Sequence, residues 1–388
     1  MVKQYNLYFM KKRNFILIII LIFVLALVAG LGLAFYLSRP TINNLPNPKE
    51  KFWRHTLPSN INTNTSTINS GEVKRNSSLQ PLFLTTMTHL ENDWNIDTNK
   101  KFFDQTVINM RYGMSLAERH EGILTFESGL SFAEAVNNFS GDILKEILER
   151  GHGVGTHVDL PAKEKLSNQE ATQLVKEHVD AVSALVGKEN NLVCSGVSGA
   201  SDWYAAAKSG GCKTIDGVVG FAYLSMSQDK RPDGWTDAVI IHDKFHYPAP
   251  VGDDRFYPFW ISGSDDFVED SGGDILLSSG ETMSLAMLAE ASGRNGDLPD
   301  CGENCPLTTE DVTAFVDDIK SLTASRDVYR IAKYNVYFPT NLFVEKNREV
   351  LELFFSEAQV LQSQGLLQWA SQKEVYEAKV AEKMMSNN

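Results

Sequence analysis

The sequence predicts an α/β protein built on a mainly parallel sheet. From residue 81 almost to the end of the chain, short apolar runs typical of buried strands alternate with stretches in which apolar residues recur at helical spacing. The clearest helical stretch is residues 132–150, which ends at Gly151. Such alternation is typical of parallel strands joined by crossover helices, in either a barrel or an open doubly wound sheet.

Each predicted element rests on one of these two patterns. The expected strands are residues 82–87, 122–126, 153–158, 191–197, 217–223, 329–338 and 366–370. The expected helices are residues 132–150, 169–186, 203–208, 282–291, 309–322 and 348–364. In both architectures the functional side chains are expected at the carboxyl ends of the strands.

Residues 15–37 form an uncharged run of aliphatic, aromatic and glycine residues near the amino terminus. As a helix this run would span roughly 34 Å at about 1.5 Å per residue, enough to cross a hydrocarbon core of about 30 Å. Lys11, Lys12 and Arg13 precede it, so the positive-inside rule places residues 1–14 in the cytoplasm and the rest of the chain outside. A cleaved signal peptide is the alternative, but the run is long for one and a poor cleavage site follows it. We therefore expect a single-pass transmembrane anchor.

Two further regions follow the predicted anchor. Residues 38–80 are rich in Asn, Ser, Thr and Pro and lack apolar periodicity, which is typical of a flexible spacer. Residues 81–380 carry the alternating pattern and are expected to form one domain on the extracytoplasmic side. The formal net charge of -13 argues against a nucleic-acid partner, which would require a basic surface.

The chain has four cysteines, all on the predicted outer side of the membrane, where an even number favours disulfides. Pairing Cys194 with Cys212 and Cys301 with Cys305 is the simplest of the three possible arrangements. The close spacing of Cys301 and Cys305 would also suit zinc, but no second pair of Cys or His stands near them in the sequence.

Two pairs of an imidazole and a carboxylate stand out at predicted strand ends. His89 and Glu91 follow the first strand, and His157 and Asp159 end the third. Residues two apart in an extended chain project to the same side, so each pair can direct both groups into one cleft. Together they would supply the mixed nitrogen and oxygen ligands that suit zinc or another divalent transition ion. The alternative is that each pair only forms hydrogen bonds within its loop.

The segment from Ile143 to Asp159, with Gly-His-Gly-Val-Gly-Thr-His near its end, resembles the second motif region of polysaccharide deacetylases (carbohydrate esterase family 4, NodB-like). In that family a helix leads into a strand that delivers a metal-binding histidine. The resemblance extends over residues 81–378. It implies a distorted or incomplete (β/α)7 barrel, preceded here by one transmembrane helix, and it implies that His157 is a metal ligand.

The sequence departs from the family pattern at four places, one of which is that the usual late histidine is not evident near Tyr337-Phe338-Pro339. Thr88-His89-Leu90-Glu91 stands where the family has paired aspartates, and Pro161 stands where a second metal-binding histidine is usual. The family's arginine-proline motif is replaced by residues 194–199. The His-x-Glu form is similar to the pairs that follow the first strand in glycoside hydrolase families 38 and 57, and it makes Glu91 a further candidate ligand.

These observations predict a metal-dependent hydrolase that acts on the carbon–nitrogen or ester bonds of acetylated glycans in the cell envelope. A divalent ion, with zinc as the first choice, would be held by His89, Glu91 and His157. Asp159 would complete the coordination shell or act as the catalytic base, and Glu91 would serve both in catalysis and as a ligand.

Two other functions remain open from the sequence. One is a catalytically degenerate barrel that binds a glycan or an envelope protein. The other is a glycoside hydrolase in which Glu91 or Asp159 is one member of a carboxylate pair. Sugar rings would need aromatic surfaces in any of these cases, and the candidates are Trp203, Tyr247, Phe259 and Trp260.

Overall fold

The computed structural model describes residues 79–91, 95–293 and 305–386. The predicted cytoplasmic segment 1–14, the predicted anchor 15–37 and all but the last two residues of the predicted spacer lie outside these ranges. Within them, no helix is both long enough and apolar enough to span a bilayer.

The described chain is α/β, as the sequence predicts. Its strands are β1 (Leu82–Leu90), β2 (Thr125–Ser128), β3 (Gly153–His157), β4 (Val193–Ser195), β5 (Thr214–Asp216), β6 (Phe259–Ile261), β7 (Ile275–Ser278), β8 (Ala332–Tyr337) and β9 (Gln368–Trp369). Its α-helices are α1 (Lys100–Glu118), α2 (Leu130–Asn138), α3 (Ile143–Glu149), α4 (Asn168–Val186), α5 (Trp203–Gly210), α6 (Asp237–Asp243), α7 (Leu288–Ala291), α8 (Thr309–Ser325), α9 (Arg348–Ser363) and α10 (Gln372–Ser386). Short 3-10 helices occupy Gly220–Ser225, Gln228–Lys230, Asp253–Phe256, Leu285–Met287, Thr340–Leu342 and Glu345–Asn347.

Three predicted elements differ in detail from the structure, and one of them is the helix expected over residues 282–291, where only the 3-10 helix Leu285–Met287 and the four-residue α7 are helical. The helix expected over residues 132–150 is two helices, α2 and α3, because Ser140 adopts a left-handed backbone conformation (φ 53°) between them. The strand expected over 217–223 lies earlier, as β5, and Gly220–Ser225 is a 3-10 helix instead.

The strands form one mostly parallel sheet in the order β6-β7-β5-β4-β3-β2-β1-β8, with β9 paired to β1. Only β6 is antiparallel to its neighbour along this path. Because β1, β2, β3 and β4 are parallel neighbours, their carboxyl ends lie at one edge. The register sets His89 opposite Glu127 and sets His157 opposite Ser195.

The sheet curls as the strands of a barrel do. Lys333 of β8 donates from Nζ to Asp216 Oδ1 of β5 (2.6 Å) and also contacts the Ser278 carbonyl of β7, although β8 stands at the far end of the strand order. The backbone N–H of Tyr337 donates to the Met283 carbonyl (3.1 Å), which joins the end of β8 to the segment after β7. The interior is therefore enclosed by the sheet.

An apolar layer between the sheet and the helices surrounds this interior. Phe126 of β2 packs against Phe343, and Phe315 of α8 packs against Phe354 of α9. The predicted Cys194–Cys212 disulfide is present and ties β4 to the segment that leads into β5. The other predicted pair includes Cys301, which lies outside the described residues.

Candidate metal centre

Three of the four predicted site residues meet at the carboxyl edge of the sheet. His89 is the penultimate residue of β1, Glu91 follows that strand directly, and His157 is the last residue of β3. The two imidazole rings lie with their centroids 3.9 Å apart and their planes at 31°. We refer to His89, Glu91 and His157 as the edge cluster.

Glu91 bridges the two imidazoles of the edge cluster. Its Oε1 lies 3.4 Å from His89 Nδ1, and its Oε2 contacts His157 Nε2. Each of the three residues offers one nitrogen or oxygen, and these three atoms lie within 4.8 Å of one another. In the described part of the chain, this is the one such group of three or more metal-ligating side chains.

Two further side chains lie behind the imidazoles, and sequence reasoning missed both. Glu127 Oε2 of β2 lies 3.3 Å from His89 Nε2, and Ser195 Oγ of β4 lies 2.8 Å from His157 Nδ1. Each imidazole thus has one nitrogen towards Glu91 and the other towards a neighbouring strand. In the sequence Glu127 directly follows the predicted strand 122–126, but only the pairing of β1 with β2 sets it opposite His89.

The charged groups of the edge cluster and Glu127 raise the pKa of His89 and lower the pKa of Glu91. Burial lowers the pKa of His89, but Glu127 and Glu91 outweigh burial and raise it to about 9. Burial raises the pKa of Glu91, but His157 and His89 outweigh it and hold this pKa well below its usual value. Without a metal, the cluster therefore holds an ionised carboxylate beside a protonated His89 at neutral pH.

The structure does not bring Asp159 into the edge cluster, so the prediction of four converging groups is wrong for this residue. Asp159 has a left-handed backbone (φ 56°), and its side chain is exposed. The rule that residues two apart share a side holds only in an extended chain, and β3 ends at His157. The Asp159 carboxylate instead lies near His178 of α4, where its charge opposes the effect of burial on the pKa of His178.

The donor set of the edge cluster fits a divalent transition ion. Two imidazole nitrogens and a carboxylate oxygen are a ligand combination found in zinc sites that keep an open position. Buried atoms without a completed hydrogen bond in the described structure include His89 Nε2, His157 Nε2 and both Glu127 carboxylate oxygens. His157 Nε2 faces Glu91 Oε2 without completing a hydrogen bond, so a bound ion at this contact would satisfy the buried nitrogen.

A second polar group lies in the interior of the barrel. Lys333 and Asp216 are both fully buried, and Lys333 Nζ also donates to Gln372 Oε1 (3.1 Å). Gln372 Nε2 in turn donates to Asn335 Oδ1 (2.9 Å) and Thr85 Oγ1 (3.2 Å). Burial raises the pKa of Asp216 and lowers that of Lys333, and the opposite charge of each partner works against both shifts. We refer to Lys333 and Asp216 as the interior pair.

Most of the aromatic residues expected to contact sugar rings are buried. Trp203, Phe259 and Trp260 belong to the core, so that expectation is wrong for them, and Tyr247 is half-buried. A different group is accessible, consisting of half-buried Phe221 with exposed Phe245 and His246.

These rings lie on a segment that leaves the carboxyl end of β5. Backbone hydrogen bonds join its two arms, from Ala249 to Val218 and from Gly220 to Tyr247. A Cβ at Gly220 would lie 1.8 Å from the Lys244 carbonyl oxygen, so glycine allows the arms to close. The aromatic group is therefore held in place within the segment that follows β5.

Comparisons with known proteins identify the fold. No protein-family model matches the chain, and no curated protein matches its sequence. A solved structure assigned as a glycoside hydrolase/deacetylase from Parabacteroides distasonis is similar, with 12% identity and a TM-score of 0.50 over 77% of this chain and 71% of that one. The likeness is one of fold. It confirms, at that level, the resemblance to polysaccharide deacetylases that the sequence predicted.

Two other similar structures have lower TM-scores. One is assigned as a polysaccharide deacetylase from Mycobacterium smegmatis, with 10% identity and a TM-score of 0.47 over 79% of this chain and 93% of that one. The other is a 4-alpha-glucanotransferase from Thermococcus litoralis, with 12% identity and a TM-score of 0.44 over 76% of this chain and 38% of that one.

Proposed function

We propose that this protein is a membrane-anchored, extracytoplasmic, metal-dependent hydrolase that removes acetyl groups from a polysaccharide, on a deacetylase-type (β/α)7 barrel. The observation that carries the proposal is the edge cluster, in which two imidazoles and a carboxylate offer ligand atoms within 4.8 Å of one another. The cluster stands at the carboxyl edge of the strands, where barrel enzymes place their reactive groups.

The three residues of the edge cluster are the proposed metal ligands. His89, Glu91 and His157 would hold a divalent ion, for which zinc is our first choice. When bound, such an ion lowers the pKa of a coordinated water from about 16 towards 7 and polarises a carbonyl group. Glu91 stays ionised because its pKa is held low, which favours a role as ligand over a role as proton acceptor.

Hydrolysis by a metal-bound water also requires a proton acceptor. Asp159 is two residues beyond His157 and is exposed, so it is our candidate for accepting a proton from the attacking water, provided that its carboxylate turns from His178 towards the edge cluster when the site is loaded. An Asp159→Asn variant that binds metal normally but loses activity would support this role. Full activity in that variant would remove Asp159 from the mechanism.

A metal analysis tests the proposal first. Full-length protein purified in detergent should hold about one divalent ion per chain, and His157→Ala should hold far less. His120→Ala is the matched control, because His120 pairs with Glu352 at the surface and takes no part in the edge cluster. Negligible metal in the wild-type protein after supplementation would end the proposal.

Acetate release from acetylated glycans tests the reaction itself. Activity should require added metal and should be lost in Glu91→Ala. Formation of new reducing ends without acetate would point instead to a glycoside hydrolase.

The degenerate binding barrel is the second candidate, and the missing paired aspartates and Pro161 favour it. Glycan binding without acetate release in a metal-loaded protein would support that candidate.

The glycan substrate and the membrane location rest on separate observations. The accessible aromatic group at Phe221, Phe245 and His246 supports a sugar ligand, because aromatic faces suit the apolar faces of sugar rings.

The uncharged run 15–37, with basic residues before it, supports the anchor. Protease added to intact cells should degrade the domain, and alkaline carbonate should leave the protein in the membrane. Release by carbonate would contradict the anchor.

A further inference from the structure

Glu127 occupies an unusual position behind the edge cluster. Its side chain on β2 is fully buried, its Oε2 lies 3.3 Å from His89 Nε2, and neither of its oxygens completes a hydrogen bond within the described structure. A buried carboxylate destabilises the fold unless it is paired, and the partner that faces Glu127 is the Nε2 atom of His89.

The neighbouring strand makes room for this carboxylate. Gly155 of β3 lies opposite Glu127 in the sheet register. A Cβ at position 155 would lie 3.1 Å from Glu127 Cγ and 3.2 Å from the Cβ of Val193. Glycine at this position therefore leaves the space in which the Glu127 side chain lies against His89.

In both imidazoles of the edge cluster, one ring nitrogen faces Glu91 and the other faces a side chain of a neighbouring strand. His157 has Nδ1 at 2.8 Å from Ser195 Oγ and Nε2 towards Glu91. His89 has Nε2 towards Glu127 and Nδ1 towards Glu91. Histidines that bind metals usually donate their other ring N–H to a carboxylate, a carbonyl or a water, and this fixes the tautomer and the ring orientation.

We propose that Glu127 is a positioning residue that accepts the Nε2 proton of His89 and so directs the Nδ1 lone pair to the point that Glu91 and His157 share. The inference rests on the metal site of the proposed function. It assigns to Glu127 no contact with the substrate, which full burial excludes. In sites without their ligand such hydrogen bonds are often long and shorten when the site is loaded. We expect the 3.3 Å separation between His89 Nε2 and Glu127 Oε2 to shorten in this way.

A second role for Glu127 has to be separated from this one. Glu127 also acts electrostatically on the interior pair, where its charge raises the pKa of both Lys333 and Asp216. If Glu127 served only to balance Lys333, then removing the other carboxylate near Lys333 would disturb the metal site equally. Asp216→Asn is therefore the matched control, since Asp216 pairs directly with Lys333.

The test measures metal binding rather than activity. Full-length wild type, Glu127→Ala, Glu127→Gln and Asp216→Asn are titrated with Zn²⁺ against a chromophoric chelator, and the visible spectrum of each Co²⁺-loaded protein is recorded. Glu127→Ala should weaken Zn²⁺ binding about 10- to 100-fold and alter the Co²⁺ spectrum. Glu127→Gln keeps the size and an acceptor oxygen, so its affinity should lie between those of Glu127→Ala and the wild type. Asp216→Asn should keep the wild-type affinity and spectrum.

Selective ¹⁵N labelling of histidine gives a direct reading of the tautomer. His89 should carry its proton on Nε2 in the zinc-loaded wild type, and this preference should weaken in Glu127→Ala. Equal affinities and spectra in the wild type and Glu127→Ala would overturn the inference, as would an equal loss in Asp216→Asn. A wild type that binds no metal would overturn the proposed function as well. If the wild type binds metal and Glu127→Ala binds it with the same affinity, only the role of Glu127 would be overturned.

Discussion

The edge cluster and the interior pair are both built from buried ionisable groups, but they differ in how those groups are paired. In the interior, Lys333 Nζ donates to Asp216, to Gln372 and to the Ser278 carbonyl. At the edge, Glu91 contacts both imidazoles, and the three residues offer ligand atoms that lie within 4.8 Å of one another. The comparison indicates that the interior pair serves the stability of the barrel, whereas the edge cluster is arranged for a ligand.

The largest effect should come from breaking the interior pair. Lys333→Ala leaves Asp216 buried without its counter-charge, so we expect the free energy of unfolding to fall by about 3–5 kcal/mol. Urea unfolding followed by circular dichroism would measure the change. The double variant Lys333→Met/Asp216→Leu should recover most of the loss, because it removes both charges. A single variant as stable as the wild type would show that the pair does not serve stability.

The edge cluster should instead make stability depend on pH when no metal is bound. The pKa of His89 in the folded protein is raised from 6.5 to about 9, so the folded state holds this proton more tightly than the unfolded chain does. Its contribution is complete below about pH 6.5 and is lost as the pH rises through 9. At about 1.4 kcal/mol per unit, the shift of the His89 pKa from 6.5 to about 9 corresponds to a loss of at most about 3–4 kcal/mol.

Urea unfolding in a chelator at pH 6.5, 8 and 9.5 would measure this pH dependence. The His89→Gln variant should lose much of the decline in stability between these values, whereas His120→Ala should keep it. Identical profiles in wild type and His89→Gln would mean that His89 contributes no such term. Glu91 has the opposite pH dependence, because its pKa is lowered in the folded protein. Its contribution to stability is complete above the usual titration range of a glutamate and is lost as the pH falls below that range.

Metal should stabilise the fold through the edge cluster alone. A ligand that binds only the folded state at a concentration of about 100 times its Kd adds about 2.7 kcal/mol to the free energy of unfolding. We expect Zn²⁺ to raise the thermal midpoint of the wild type and a chelator to reverse the change. His157→Ala should show no such rise, and Lys333→Met/Asp216→Leu should show the full rise. Equal stabilisation of His157→Ala would place the ion elsewhere.

The fold was largely predictable because its signals are local. The strands at residues 82–87 and 153–158 and the helices at 169–186 and 348–364 follow apolar periodicity, and the structure has them near those bounds. Helix α1 was missed although Phe103, Val107, Met110 and Met114 recur at helical spacing on its buried face. The three residues of β6 offer too short a pattern to be recognised without the partner strand.

The candidate site was only partly predictable because its remaining features depend on tertiary structure. His89, Glu91 and His157 could be found from their places at strand ends. Glu127 faces His89 only through the register of β1 and β2, which no local pattern reveals. Asp159 was misplaced because a left-handed backbone at a residue other than glycine leaves little trace in the sequence.

The smallest expected effect concerns the accessible aromatic group on the segment that follows β5. Phe245 is 38% exposed on the segment that leaves β5, and β5 lies two strands from β3, about 10 Å along the sheet at about 4.8 Å per strand. A sugar ring packed on Phe245 would contribute about 1 kcal/mol, so Phe245→Ala should raise the KM for an acetylated oligosaccharide about fivefold and leave kcat nearly unchanged. Tyr329, which is 46% exposed and precedes β8 at its amino end, provides the matched control variant Tyr329→Ala. A rise in KM in both variants, or in neither, would remove Phe245 from the substrate path while leaving the metal centre untouched.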